Sequence, residues 1–149
     1  MAEIFFFQET KITLSERKRL KAFIDKIFKK NGKGLKTLSY VFCTDHFLLE
    51  INRKFLQHDY YTDIVTFDLS NSDKEVEGDI YISVDRVREN ARNFNRTIKE
   101  ELHRVIFHGA LHLCGFKDNT KKGKEKMTSI EDKCLKQYFH SVPRITVSG

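Results

Sequence analysis

His108 and His112 stand four residues apart in the run HGALHLCGFKD, a spacing that on a helix stacks two imidazoles on one side, about one turn apart. Two rings so placed can grip one metal ion. At about 100° per residue, both fall at the border of the helix's apolar stripe, where a ligand on a cleft floor would sit. Gly115 ends the helix, and Asp118 follows in a loop able to fold back and offer an anionic third ligand. Two histidines and a carboxylate leave open positions on the ion, which suits catalytic Zn2+ or another divalent cation. The same residues also fit hydrogen-bonded border histidines with Asp118 opening a turn. A zinc protease helix would carry Glu directly after the first His; that position is Gly109, which argues against peptide hydrolysis. No Ser-His-Asp or Cys-His set and no Gly-rich phosphate loop stands out, and Cys114 reads as a small apolar residue at the helix end.

The elements that must position these residues can be traced from hydrophobic period and punctuation. Residues 4–7 read as a buried strand. Thr13 with Glu16 reads as a capping box for a helix that turns Leu20, Phe23, Ile24, Ile27 and Phe28 inward and stops at Asn31-Gly32. Residues 37–43 read as a strand, after which Thr44 or Asp45 caps a helix with Leu48, Ile51 and Phe55 on one side. Two strands at 64–69 and 79–83 flank the acidic stretch SNSDKEVEG, which reads as a hairpin loop. Ser83 caps a helix with Val84, Val87, Ala91 and Phe94 inward and Arg88, Arg92 and Arg96 as one outward stripe. Thr97 with Glu100 opens the histidine helix, whose buried stripe is Ile98, Leu102, Val105, Ile106 and Leu113. Beyond the basic loop KDNTKKGK, the last helix puts Met127, Ile130, Cys134 and Tyr138 on one face, and the tail from His140 onward is expected to fray. This order, β-α-β-α-β-β-α-α-α, predicts an α+β fold in one domain spanning 1–149. It has a small mixed sheet of about four strands, about five helices, and the metal site at the end of a central helix.

Composition narrows the class. The chain has 149 residues, 40% hydrophobic, with 13 Phe and 5 Tyr against 7 Gly and 1 Pro, which excludes a disordered or low-complexity chain. No stretch approaches the ~18 consecutive apolar residues of a membrane span. The start MAEIFFFQET lacks the basic leader, apolar core and cleavage site of a signal peptide, so a cytoplasmic location is expected. Cys43, Cys114 and Cys134, odd in number and unpaired in spacing, read as reduced thiols. The net charge of +6 is unevenly spread. Residues 1–60 carry 12 basic and 7 acidic side chains, 61–85 carry 1 and 7, and 86–149 carry 14 and 7. Basic segments therefore flank an acidic one, an arrangement open to solvated helical faces or to a polyanion partner.

The run from 108 to 118 resembles the signature of the YbeY family of rRNA-maturation endoribonucleases. IN at 51–52, TDIVTF at 62–67, GDIYIS at 78–83 and Met127 with Glu131 agree with it in order and spacing, so the likeness covers about 51 to 138. It implies a single-strand-specific, zinc-dependent endoribonuclease held to its metal by His108, His112 and Asp118. The resemblance further implies roles in 16S 3′-end maturation and ribosome quality control, with single-stranded rRNA and ribosomal particles as partners. Two positions depart from the pattern. The third ligand, usually His, is Asp118, and an Arg usual in the helix before TD is Leu56, so its part falls to Arg53, to Lys54 or to no residue. Asp63 of the TDIVTF stretch is the candidate general base, or else caps a strand or orients a histidine. Phosphate contacts are expected from Arg88, Arg92, Arg96, Lys117, Lys121 and Lys122, and base stacking from Tyr60 or Tyr61. Rival readings are a ribosome-associated RNA-binding assembly factor with a structural metal, and another zinc-dependent hydrolase.

Overall fold

The computed structural model describes residues 2–140. Strands β1 (Glu3–Gln8), β2 (Gly34–Cys43), β3 (Ile64–Asp68) and β4 (Glu75–Ser83) form one sheet in the order β1-β2-β4-β3. The first three in that order run parallel, and β3 pairs antiparallel to β4 through a hairpin. Helices α1 (Arg17–Lys30), α2 (Asp45–Ile51, continued by a single π turn over Asn52–Leu56), α3 (Val84–Asn93), α4 (Ile98–Leu113) and α5 (Lys121–His140) complete the α+β arrangement, in the element order the sequence predicts. Among these residues no helix is long and apolar enough to cross a membrane.

Strand alternation decides what the sheet buries. Register aligns Phe6, Tyr40 and Ile80 across β1, β2 and β4, and Phe42, Ile82 and Ile64 across β2, β4 and β3. This face joins Leu20, Ile24 and Phe28 of α1 and Ile106, Phe107 and Ala110 of α4 in the main core. The opposite parity, Val65, Phe67 and Tyr81, packs with Cys43, Leu48 and Ile51 in a smaller cluster. Two devices seat α4 on the sheet. The fully buried Tyr40 hydroxyl donates to the Ile106 carbonyl at 2.9 Å. At Gly109 the helix comes so close that an added Cβ would lie 2.9 Å from Ile80 Cδ1 and 3.0 Å from Ile64 Cδ1. Close approach, which Glu would forbid, is the physical reason for glycine after the first histidine.

Three caps form as expected. Thr44, Ser83 and Thr97 hydroxyls accept from the N–H groups of Phe47, Arg86 and Glu100. Several expectations fail. Thr13 caps nothing: α1 starts at Arg17 behind Glu16, which sits at φ +53° with no side-chain cap bond. Ile12 and Leu14 are both buried, and alternating burial keeps this segment out of helix. Phe55 is 58% exposed, because the π turn rotates it off the apolar side of α2. Phe94, placed inward by period, is 60% exposed because α3 has ended at Asn93. Ile98 opens α4 at 39% exposure, ahead of the turns that pack. β4 begins at Glu75, not Asp79, so Glu75 and Glu77 lie on a strand and not on the turn. Between β2 and β3, its alternation of buried Val76, Gly78, Ile80 and Ile82 extends the ladder. Lys121 and Lys122 belong to the first turn of α5 and not to a loop, and His140 closes that helix. The remainder of the expected tail, 141–149, lies outside the described residues.

A candidate metal centre at the end of the central helix

His108 and His112 occupy the last two turns of α4, their ring centroids 4.9 Å apart. The helix then closes with Gly115 at φ +108°, Gly115 N–H bonded to His112 O and Phe116 N–H to Leu111 O. That left-handed stop reverses the chain. Lys117 and Asp118 are carried past the first turn of α5, where a Cβ on Gly123 would lie 2.5 Å from the Lys117 carbonyl. Asp118 thereby faces both rings, with Oδ2 3.4 Å from His108 Nε2 and Oδ1 3.1 Å from His112 Nε2. Ligand atoms from all three side chains lie within 4.8 Å of one another. The two Asp118–histidine separations are close to the roughly 3.3–3.4 Å between ligands held about 2.0–2.1 Å from one tetrahedral ion, so the three side chains could hold a divalent metal.

The electrostatics point the same way. Glu131 on α5, 6% exposed, accepts a hydrogen bond from His108 Nδ1, which fixes the ring so that Nε2 faces Asp118. Burial disfavours the protonated imidazole of His108. The hydrogen bond and charge of Glu131, with Asp118 and Asp63, outweigh burial and raise its pKa above the ordinary value. Burial raises the Asp63 carboxyl above the usual range while His108 works to lower it, and Glu131 and Asp118 add to the rise. Asp63 therefore belongs to this electrostatic cluster, and its carbonyl accepts from Ser83 N–H at the end of β4. The carboxyl groups of Asp118, Glu131 and Asp63 acting on this histidine pair form a cluster whose charge a dication would balance. Cys114 stays out of the chemistry: burial pushes its thiol up to about 12.

The expected RNA contacts are less uniform. Arg53 Nε bonds Asp59 Oδ1 at 2.5 Å in the exposed loop before β3, where Asn52, itself buried, donates to the Tyr60 carbonyl. Tyr60 and Tyr61 are 56% and 51% exposed, and Arg86 stacks over Tyr61 at 5.1 Å. Arg88, Arg92 and Arg96 do not form one helical stripe. Arg96 lies past the end of α3, and its guanidinium bonds Glu101 at 2.9 Å and stacks over Phe94. Arg88 donates to the Lys11 carbonyl, and Arg92 is exposed. Lys117, Lys121 and Lys122 are exposed beside the Asp118 loop. The first turn of α5 holds no acidic residue, so its lysines meet the positive end of the helix dipole uncompensated.

Two site members escaped the sequence reading in that role. Glu131 agreed with the family pattern, but its partnership with His108 spans 23 residues; its only local signal is a charge between Met127 and Cys134 on an apolar face. Asn52, likewise part of the matching IN pair, shows its part only once the loop carbonyl it holds is located.

Comparison with known proteins agrees with this geometry. A family model described as "Endoribonuclease YbeY" matches residues 4–139. A relative of that name from Cytophaga hutchinsonii is 50% identical over 133 residues, 89% of this chain and 93% of its own length. Another from Porphyromonas gingivalis W83 is 45% identical over 136 residues, 91% and 89% of the two chains. A solution structure from Thermotoga maritima superposes with a TM-score of 0.64 at 29% identity, covering 95% of this chain and 91% of that one. With the fold, the His-x3-His helix and the returning Asp118 loop in agreement with a match along nearly its whole length, the chain belongs to the endoribonuclease YbeY family.

Proposed function

We propose that this chain is a zinc-dependent endoribonuclease that cuts single-stranded ribosomal RNA. It would work in the cytoplasm on ribosomal particles, in 16S 3′-end maturation and in quality control. The observation that carries the reading is the convergence of His108, His112 and Asp118 within 4.8 Å, at the end of a helix in a family named for endoribonuclease activity. His108, His112 and Asp118 would hold a divalent ion, which when bound would supply Lewis-acid polarisation of a phosphoryl oxygen and a lowered pKa for water. His108 and His112 present Nε2, Asp118 offers oxygen, and Glu131 holds the His108 ring in the ligating orientation. Asp63, its carboxyl raised by burial, takes the proton from the attacking group. Lys117, Lys121 and Lys122 hold phosphates next to the centre, which relieves the uncompensated lysines at the start of α5. Arg88 and Arg92 extend the basic track. Arg53, which must leave its exposed pairing with Asp59 to do so, takes the part of the family's usual arginine at Leu56, and Arg96, held by the buried Glu101, contributes least. Tyr60 or Tyr61 stacks a base.

The test pairs metal analysis with cleavage of a single-stranded rRNA fragment by the unmodified protein, His112→Ala and Asp118→Ala. Stoichiometric zinc and cleavage in the first, with both reduced in the variants, is the expected result. Zinc without cleavage, and variants that still support ribosome maturation, would overturn catalysis in favour of an RNA-binding assembly factor.

A further inference from the structure

Arg104 lies one turn before His108 on α4, so Arg104, His108 and His112 form a row whose first two members meet α5. Its side chain is only 12% exposed, unusual for a guanidinium, and its Nε is buried without a hydrogen-bond partner. Burial at that cost is offset by what the other nitrogens hold. NH1 donates to Glu131 Oε1 at 3.0 Å, and NH2 donates to Asp132 Oδ1 at 2.5 Å. The remaining Glu131 oxygen, Oε2, accepts from His108 Nδ1. One carboxylate thus bridges two successive turns of α4, with each oxygen assigned to a different partner. A carboxylate anchored at one oxygen keeps little rotational freedom at the other.

We propose that Arg104 is a positioning residue for the metal centre: by anchoring one oxygen of Glu131 it aims the other at His108 Nδ1, and so keeps His108 Nε2 turned toward Asp118. The proposal rests on the reading of His108, His112 and Asp118 as metal ligands and extends it one layer outward. Arg104 touches neither ion nor substrate and acts only through Glu131. Asp132, 59% exposed, is a clip on the solvent side of Arg104 and not part of the path to the metal.

The experiment measures Zn2+ affinity of the full chain by competition with a chromogenic chelator, for the unmodified protein, Arg104→Gln, Arg104→Met, Arg104→Lys, Glu131→Gln and the Arg104→Gln/Glu131→Gln pair. The His108 tautomer is read alongside from long-range 15N spectra of the metal-free protein in mildly alkaline buffer. Glu131→Gln is expected to weaken zinc by about 10- to 100-fold, the usual cost of losing a histidine's orienting partner, and Arg104→Gln by a smaller factor. The double variant should bind like Glu131→Gln alone, since the two act in series. In Arg104→Gln the proton of His108 should spread over both ring nitrogens, a change that loss of packing alone would not produce. If Arg104→Gln does not fold, Arg104→Met, which keeps the aliphatic stem without a donor, carries the test: weakened zinc binding in a folded protein supports the proposal and unchanged binding overturns it. Arg104→Lys, which keeps a donor for Glu131, should bind zinc nearly as the unmodified protein does. Unchanged affinity in Arg104→Gln, or losses that multiply in the double variant, overturns the role of Arg104 and leaves the metal centre standing. An unmodified protein that binds no zinc overturns both.

Discussion

Gly109→Ala isolates the contact that seats the histidine helix. Gly109 lies inside α4, a conformation alanine adopts freely, and in an open helix the exchange would stabilise by about 1 kcal/mol. Here the new methyl meets Ile80 Cδ1 at 2.9 Å, Ile64 Cδ1 at 3.0 Å and Ile80 Cγ2 at 3.0 Å, where comfortable carbon contacts are about 3.5–4.0 Å. The helix or both isoleucines must yield by several tenths of an ångström, in a region where Ile80 is fully buried. Overpacking of this kind costs about 1–3 kcal/mol, so the net is a loss of about 1 kcal/mol, or roughly 3–4 °C in Tm for a chain of this size. Urea unfolding of the metal-free protein measures it, with Ile80→Val as partner substitution because it removes the Cδ1 nearest the new methyl. The double variant should be more stable than the sum of the single losses, since each change relieves the other. A Gly109→Ala protein as stable as the parent, or losses that simply add, would refute the close-approach argument. Zinc affinity should fall with stability, because His108 and His112 ride on the same helix while Asp118 does not.

Three further outcomes are expected. Zinc at about a hundredfold excess over its Kd should stabilise the folded chain by about 2.7 kcal/mol, an effect a chelator reverses; a thermal scan of Asp118→Asn should show most of that gain lost. Tyr40→Phe removes the buried donor to the Ile106 carbonyl and should cost about 1–2 kcal/mol in urea unfolding, with no loss of apolar packing. His103 is buried among aromatic rings with Nδ1 2.7 Å from the Lys99 carbonyl, and burial lowers its pKa below the ordinary 6.5 despite that bond. Its folded form takes up a proton less readily than its unfolded form, so its contribution is whole above about pH 6.5 and is lost as pH falls through that value. The raised pKa of His108 works in the opposite sense in metal-free protein, but it is common to the parent and His103→Phe. The stability gap between the two should therefore shift in favour of the variant from pH 7.5 to pH 5.5, and a constant gap would contradict the assignment.

Much of this protein is written in short-range patterns. The helical period placed His108 and His112 on one side of one helix, Thr97 and Gly115 marked where that helix begins and stops, and Asp118 followed at a distance that permits return. Those features depend on backbone geometry over a few residues, so the sequence alone determines them. It also determined the element order, because strand and helix periods differ sharply. Tertiary structure decided what lies between distant segments. Glu131 reaches His108, Arg104 reaches Glu131, and Asp63 enters the field of His108, Asp118 and Glu131 only when α5 and β3 are docked beside α4. It decided the errors too. Thr13 failed as a cap because Ile12 and Leu14 were drawn into the core, and Phe94 left its expected inward face and Arg96 its expected outward stripe because α3 stopped one turn early and Glu101 captured the guanidinium. Period and capping record what a segment can form. Which partner it buries against, and which charge it meets there, is settled by long-range packing, which no local window contains.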